Sequence, residues 1–194
     1  MAVIATQPNF RVAVLAGAVG YAIMILVMTA TPLAMRAQGF EMSQVAFIMQ
    51  WHGLGMFAPS FVTGSLIARF GVERILLTGA ILLIGTVLVA NLGTSLAHFW
   101  VALVVLGVGW NFLFVGSSAM LSTVHGEAER GKVQGVNDLI IFTLVAIGSL
   151  MAGQLLHHLG WEVLNLTMLP LILLVVLATL WFGLVGNAQK AGSS

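Results

Sequence analysis

Long apolar runs broken by short polar loops set the pattern of this chain. Six stretches, residues 12–35, 43–68, 75–92, 98–121, 133–155 and 164–185, lie near the roughly 20 mostly apolar residues that a helix needs to cross a bilayer core. Continuous apolar runs of this kind exclude the alternating segments of a membrane β-barrel. The pattern predicts an all-α polytopic membrane protein with six transmembrane helices in a lipid bilayer. Composition agrees: the 194 residues are 60% hydrophobic and only 7% charged, where a soluble domain carries about 25% charged residues.

Charge changes the picture only through its placement. With six spans, both termini share a side with the second and fourth loops. That side collects Arg11, Arg69, Arg74, Arg130, Lys132 and Lys190, and the other side holds Arg36. The positive-inside rule then puts both termini in the cytoplasm of a bacterial-type inner membrane. There is no basic run for nucleic acid. The absence of cysteine excludes disulfides and thiolate metal sites. The apolar run after Arg11 is too long for a signal-peptide core, so the first segment is expected to be a permanent span.

Displaced by 89 positions, the chain resembles itself. Val19-Gly20-Tyr21 falls on Val108-Gly109-Trp110, and Thr29-Ala30 on Ser118-Ala119. Gly64-Ser-Leu-Ile-Ala-Arg-Phe-Gly71-Val-Glu73 falls on Gly153-Gln-Leu-Leu-His-His-Leu-Gly160-Trp-Glu162 without a gap. Each unit holds three spans, and an odd number inverts the second unit in the membrane. The expected organisation is a leader at 1–11, a membrane domain at 12–185 built from inverted three-helix repeats at about 12–95 and 98–185, and a polar, disordered tail at 186–194. Nested inverted repeats of this kind resemble one half of a major facilitator superfamily (MFS) transporter. Gly64-x-Leu66-x-x-Arg69-x-Gly71-x-x-Arg74 resembles the superfamily's loop signature, Gly-x-Leu-x-Asp-Arg-x-Gly-Arg-Arg. Ala68 replaces the aspartate, and Val72 and Glu73 replace basic residues, a degeneracy typical of the C-terminal half. The same residues also suit a plain cytoplasmic turn, with Gly71 ending a helix and Arg69 and Arg74 as topogenic charges.

Two pairs of soft metal ligands stand out in the first two spans: Met24-x-x-x-Met28 and His52-x-x-x-Met56. Residues at i and i+4 share a helix face. Around a turn near Gly39 and Phe40, Met24 matches Met56 in depth and Met28 matches His52, giving two ligand layers roughly 6 Å apart. Thioether and imidazole groups suit Cu(I), and a histidine inside a span is costly and functional by default. Methionine is also a common packing residue. With Val27-Met-Thr-Ala-Thr-Pro-Leu33 and Ala58-Pro-Ser-Phe61 around them, these motifs resemble the CcoA-type copper importers of bacteria. That resemblance implies Cu(I) uptake at Met24, Met28, His52 and Met56, with a link to cytochrome oxidase assembly. It also implies a homodimer or a complementary MFS half, because six helices alone do not make a two-sided cavity.

Other polar positions bear two readings each. Asp138 is either a proton-coupling carboxylate or a near-interface acid paired with Asn137 or Lys132. Asn111 either lines a cavity or bonds between helices. Gly107, Gly109 and Gly116 permit close packing. His157, His158 and His98 near Trp161 suit a surface copper patch or interfacial anchoring. His125 sits in a charged loop with Glu127, Glu129, Arg130 and Lys132. No enzyme motif is present. Beside copper uptake stand two alternatives: a proton-coupled exporter of small organic molecules, in which Asp138 matters and the methionines do not, and a non-transporting assembly subunit.

Overall fold

The structure is a computed structural model describing residue 4 and residues 6–191, with side chains to residue 184. The described residues form helices α1 (Pro8–Ala37), α2 (Met42–Phe57), α3 (Ser60–Phe70), α4 (Val72–Leu92), α5 (Leu96–Leu121), α6 (Glu127–Leu166) and α7 (Leu169–Ala191), with no strand among them. Helices are what a lipid environment demands, because each backbone polar group must be satisfied within its own segment. Large apolar side chains accordingly point outward, with Phe61 91% and Leu150 81% exposed. Such surface belongs against lipid rather than water.

Five stretches are long and apolar enough to cross a membrane: Pro8–Ala37, Met42–Phe70, Val72–Leu92, Leu96–Leu121 and the 58 residues of Glu127–Leu184. Straight, the last would reach about 87 Å, far beyond a bilayer core of about 30 Å. It turns back at Gly160, whose φ of 75° and ψ of 174° break the helix. Gly160 and Trp161 share a cleft with Gln38 and Thr94, at the end of the bundle where α1 stops and α4 joins α5. At the opposite end, Phe182 meets Asn9, Val72 and Thr123. The described residues therefore make six passes.

Local chemistry sets the boundaries. Pro8 opens α1, where its missing N–H costs nothing. Glu41 and Gln44 form a reciprocal capping box that starts α2. Arg36 Nη1 donates to the Phe40 carbonyl at 2.6 Å across the α1–α2 turn. Gly71 ends α3, as its position in the loop predicts. The second span differs from expectation: it is two helices, α2 and α3, divided at Ala58 and Pro59. Proline offers no N–H to the preceding turn, so the ladder is interrupted there. The helix of the fifth span, α6, starts at Glu127 rather than near Val133, and α7 continues to Ala191. The rest of the expected tail, residues 192–194, lies outside the described residues.

Helix α5 is the hub, packed on α1, α2 and α4, while α6 lies mainly on α1, and α7 lies on α4 and α1. Each second span thus rests on the first span of the other three-helix unit: α2 on α5 and α6 on α1. Small residues allow this closeness. A Cβ on Gly107 would stand 2.7 Å from the His52 carbonyl oxygen, and one on Gly79 would stand 2.9 Å from that of Gly109. Close backbone approach at small residues is how helices associate in lipid. Ile48, Leu76, Leu103 and Leu106 are fully buried along these contacts.

Candidate functional site

The methionine and histidine motifs lie on α1 and α2, as their spacing predicts. Helices α1 and α2 touch little, and His52 turns to α5. Its Nδ1 lies 2.8 Å from the Leu103 carbonyl oxygen. A carbonyl only accepts, so Nδ1 carries the proton and Nε2 presents a bare lone pair. His52 is 1% exposed, and its Nε2 has no hydrogen-bond partner among the described residues. Met24 is buried in α1, while Met28 and Met56 are half-buried. Among the described residues no three His, Cys, Asp or Glu side chains gather in one place. His157 and His158 lie ring to ring at 5.1 Å on the surface, and His98 Nδ1 meets the Ser95 hydroxyl at 2.7 Å.

Asn111 is a buried clamp that bonds between helices. Its Nδ2 donates to the Met56 carbonyl at 2.8 Å and to the Ser60 hydroxyl at 2.6 Å. Its Oδ1 accepts from the Thr63 hydroxyl at 2.8 Å. All three partners flank the break between α2 and α3. The interrupted ladder exposes backbone groups that lipid cannot solvate, and Asn111 supplies a bond in place of water.

An aromatic cluster lies beside that clamp. Tyr21 meets Trp110 edge to face at 5.1 Å and Phe114 at 5.5 Å. Trp110 and Phe114 stack at 5.1 Å with planes 5° apart, and Phe57 abuts Trp110 at 6.2 Å. Helix periodicity explains the stack, since Trp110 and Phe114 are one turn apart on α5. Tyr21 and Phe114 then form one wall of a cavity of about 230 Å³. Its other wall comes from α6, where Gln134, Asn137, Asp138, Ile141 and Phe142 recur at helical spacing, with Ser118 of α5 nearby.

Asp138 thus lines a cavity between α1, α5 and α6. Asn137 Nδ2 also donates to Asp138 Oδ1 at 3.3 Å, the pairing that one of the two sequence readings named. It stands 11 residues after the start of α6, about 17 Å along the axis, of which residues 127–132 are the charged segment preceding the apolar span. A carboxylate inside a membrane bundle faces a cavity or a partner because exposure to hydrocarbon is costly.

Residues 12–193 match the Major Facilitator Superfamily. The chain belongs to this superfamily. It is 48% identical over 170 residues to the riboflavin transporter RfnT of Brucella anthropi, covering 88% of this chain and 43% of that protein. It is 32% identical over 163 residues to the uncharacterized MFS-type transporter YddS of Bacillus subtilis, covering 82% and 37%. It is 33% identical over 138 residues to the drug efflux pump JefA of Mycobacterium tuberculosis, covering 68% and 27%. The chain spans less than half the length of each of these relatives. Two of these names, the riboflavin transporter and the drug efflux pump, point to organic solutes, and none of the three mentions copper. The superfamily and its named members are membrane transporters rather than enzymes.

The loop motif sits at the end of the bundle where α1 begins, beside Val72 and Asn9. Gly64 is exposed on α3, Gly71 turns the chain with φ 87°, and Arg69 and Arg74 are exposed beside it, Arg69 lying 5.2 Å over the Phe70 ring. The cavity residues Tyr21, Phe114 and Gln134 were missed as a site in the sequence. One signal for them was present: the offset of 89 pairs Tyr21 with Trp110.

Proposed function

We infer that this chain is a membrane-transport unit for a flat heteroaromatic solute of the riboflavin kind. One observation carries the reading: a cavity with an aromatic wall at Tyr21 and Phe114 faces a polar wall at Gln134, Asn137 and Asp138. Rings stack on the first wall, and a polar ring edge hydrogen-bonds to the second. Most ligand sites combine apolar lining with a few placed polar groups. The 48% identity to a protein named as a riboflavin transporter supports the same class. Tyr21 and Trp110 occupy equivalent positions in the proposed repeats and touch, so the cavity lies near the repeat axis. Transport sites of this construction lie at such repeat interfaces near mid-membrane.

Six helices supply one wall of such a path, so the unit acts with a second copy or a complementary six-helix half. Both termini lie on the cytoplasmic side. A general exporter of organic molecules is the neighbouring reading, supported by the likeness to a drug efflux pump.

The copper reading retains one observation, the bare and buried Nε2 of His52 with Met56 one turn further along α2. A link to oxidase assembly stands or falls with it. Thermal unfolding of the purified chain with riboflavin, with a cationic dye or with anaerobic Cu(I) separates the three. Riboflavin at about 100 times its Kd should stabilise by about 2.7 kcal/mol. Stabilisation by Cu(I) alone, lost in His52→Ala, would overturn the flavin reading in favour of copper.

A further inference from the structure

Within the cavity, the polar wall has a definite hydrogen-bonding character. Gln134 and Asp138 are four residues apart on α6, and Asn137 adjoins Asp138, so all three project from one face. The two carboxamides carry N–H donors, and the carboxylate only accepts. Asn137 spends one N–H on Asp138 at 3.3 Å, which steadies the carboxylate and leaves the second N–H of the amide group for a ligand. The opposite wall is the Phe114 ring, backed by Trp110 at 5.1 Å and 5°. A volume of about 230 Å³ is below the usual range of about 300–1,000 Å³ for a whole drug-sized ligand. It suits the polar end of a fused ring rather than the complete solute.

We propose that the Gln134, Asn137 and Asp138 face of α6 reads the imide edge of a fused heterocycle stacked against Phe114. An imide presents carbonyl, N–H, carbonyl in a row. Asp138 accepts from its N–H, and the carboxamides of Gln134 and Asn137 donate to the flanking carbonyls. Riboflavin carries such an edge, and so do other cyclic imides. A stacking dye without one matches the aromatic wall alone. The proposal rests on the flavin reading but goes further, because it assigns discrimination to one N–H and one carboxylate. Sites built to hydrogen-bond a ligand group reject analogues lacking it, since the site's own polar group is left unpaired.

The test is a fluorescence titration of the purified full chain with riboflavin and with its N3-methyl analogue, which keeps both carbonyls and the ring but lacks the N–H. The analogue should bind about tenfold more weakly or worse. Asp138→Ala should bring riboflavin down to the analogue's affinity and leave the analogue unchanged. Equal binding of the two flavins by the wild-type chain would overturn the imide proposal while sparing the flavin reading. Discrimination that survives in Asp138→Ala would overturn its assignment to this face. Binding of neither flavin would overturn both. The two-ligand comparison on the wild-type chain decides the proposal even where the variant does not fold.

Discussion

Tyr21 and Trp110, 89 positions apart (110 − 21 = 89), meet edge to face with ring centroids 5.1 Å apart. Residues equivalent in two units related by a two-fold axis touch only where both lie close to that axis. Gly71 and Gly160 have the same separation (160 − 71 = 89) and share a left-handed φ with an extended ψ, 87° and 152° against 75° and 174°. Tyr21 of the first pair lines the cavity, and each glycine of the second precedes the third span of its proposed repeat.

The aromatic contact gives the first prediction. Tyr21→Phe keeps both edge contacts and should unfold within about 0.5 kcal/mol of wild type. Tyr21→Ala loses the contacts to Trp110 and Phe114, each worth about 0.5–1.5 kcal/mol, and should be less stable by about 1–3 kcal/mol. Denaturation of both variants in one detergent checks the order. Equal stability of all three proteins would mean that the cluster does not hold α1 to α5.

Glycines at turns and glycines at contacts should behave differently. A Cβ on Gly71 or Gly160 meets nothing within 4 Å, so alanine there costs only backbone strain, about 1–3 kcal/mol. A Cβ on Gly107 meets backbone of α2 at 2.7 Å, and neither helix can yield without parting. Gly107→Ala should therefore lose most folded protein in size-exclusion chromatography, while the two turn variants retain it.

Asn111→Ala removes the bonds to Met56, Ser60 and Thr63 around the broken second span. Interhelical bonds in membranes average about 0.6 kcal/mol, and a stranded carbonyl adds about 1–3 kcal/mol. A total loss of about 3–5 kcal/mol should follow, together with faster proteolysis near Pro59. Asn111→Asp keeps the acceptor for Thr63 but lacks the donors to Met56 and Ser60, so it should not restore stability. Rescue by Asp would show that the Thr63 bond alone matters.

Much of the fold was legible because lipid simplifies the code. Six apolar runs gave six passes, and Gly71 marked its helix end through a conformation that other residues resist. The division of the second span at Pro59 was harder to see, because Phe57 and Phe61 keep the run apolar across it. Early starts such as Glu127 escape hydropathy altogether, since the first turn of α6 is polar. The site was less legible. Met24, Met28, His52 and Met56 have suggestive spacing, but facing depends on which helices pack, and close approach at Gly107 presses α2 onto α5 instead of α1. The aromatic wall uses Tyr21 and Phe114, which look like ordinary span residues until the tertiary contact brings them to Asp138.

Riboflavin binding by the intact chain bears most directly on the flavin assignment. Flavin emission would be followed as purified wild type and Phe114→Ala are titrated under identical conditions. Stacking on the Phe114 wall predicts saturable quenching by wild type and about a tenfold weaker response in the variant, in line with about 1–3 kcal/mol for stacking a planar base on an aromatic ring. Absence of saturable quenching, or quenching untouched by Phe114→Ala, would contradict a flavin site in this cavity.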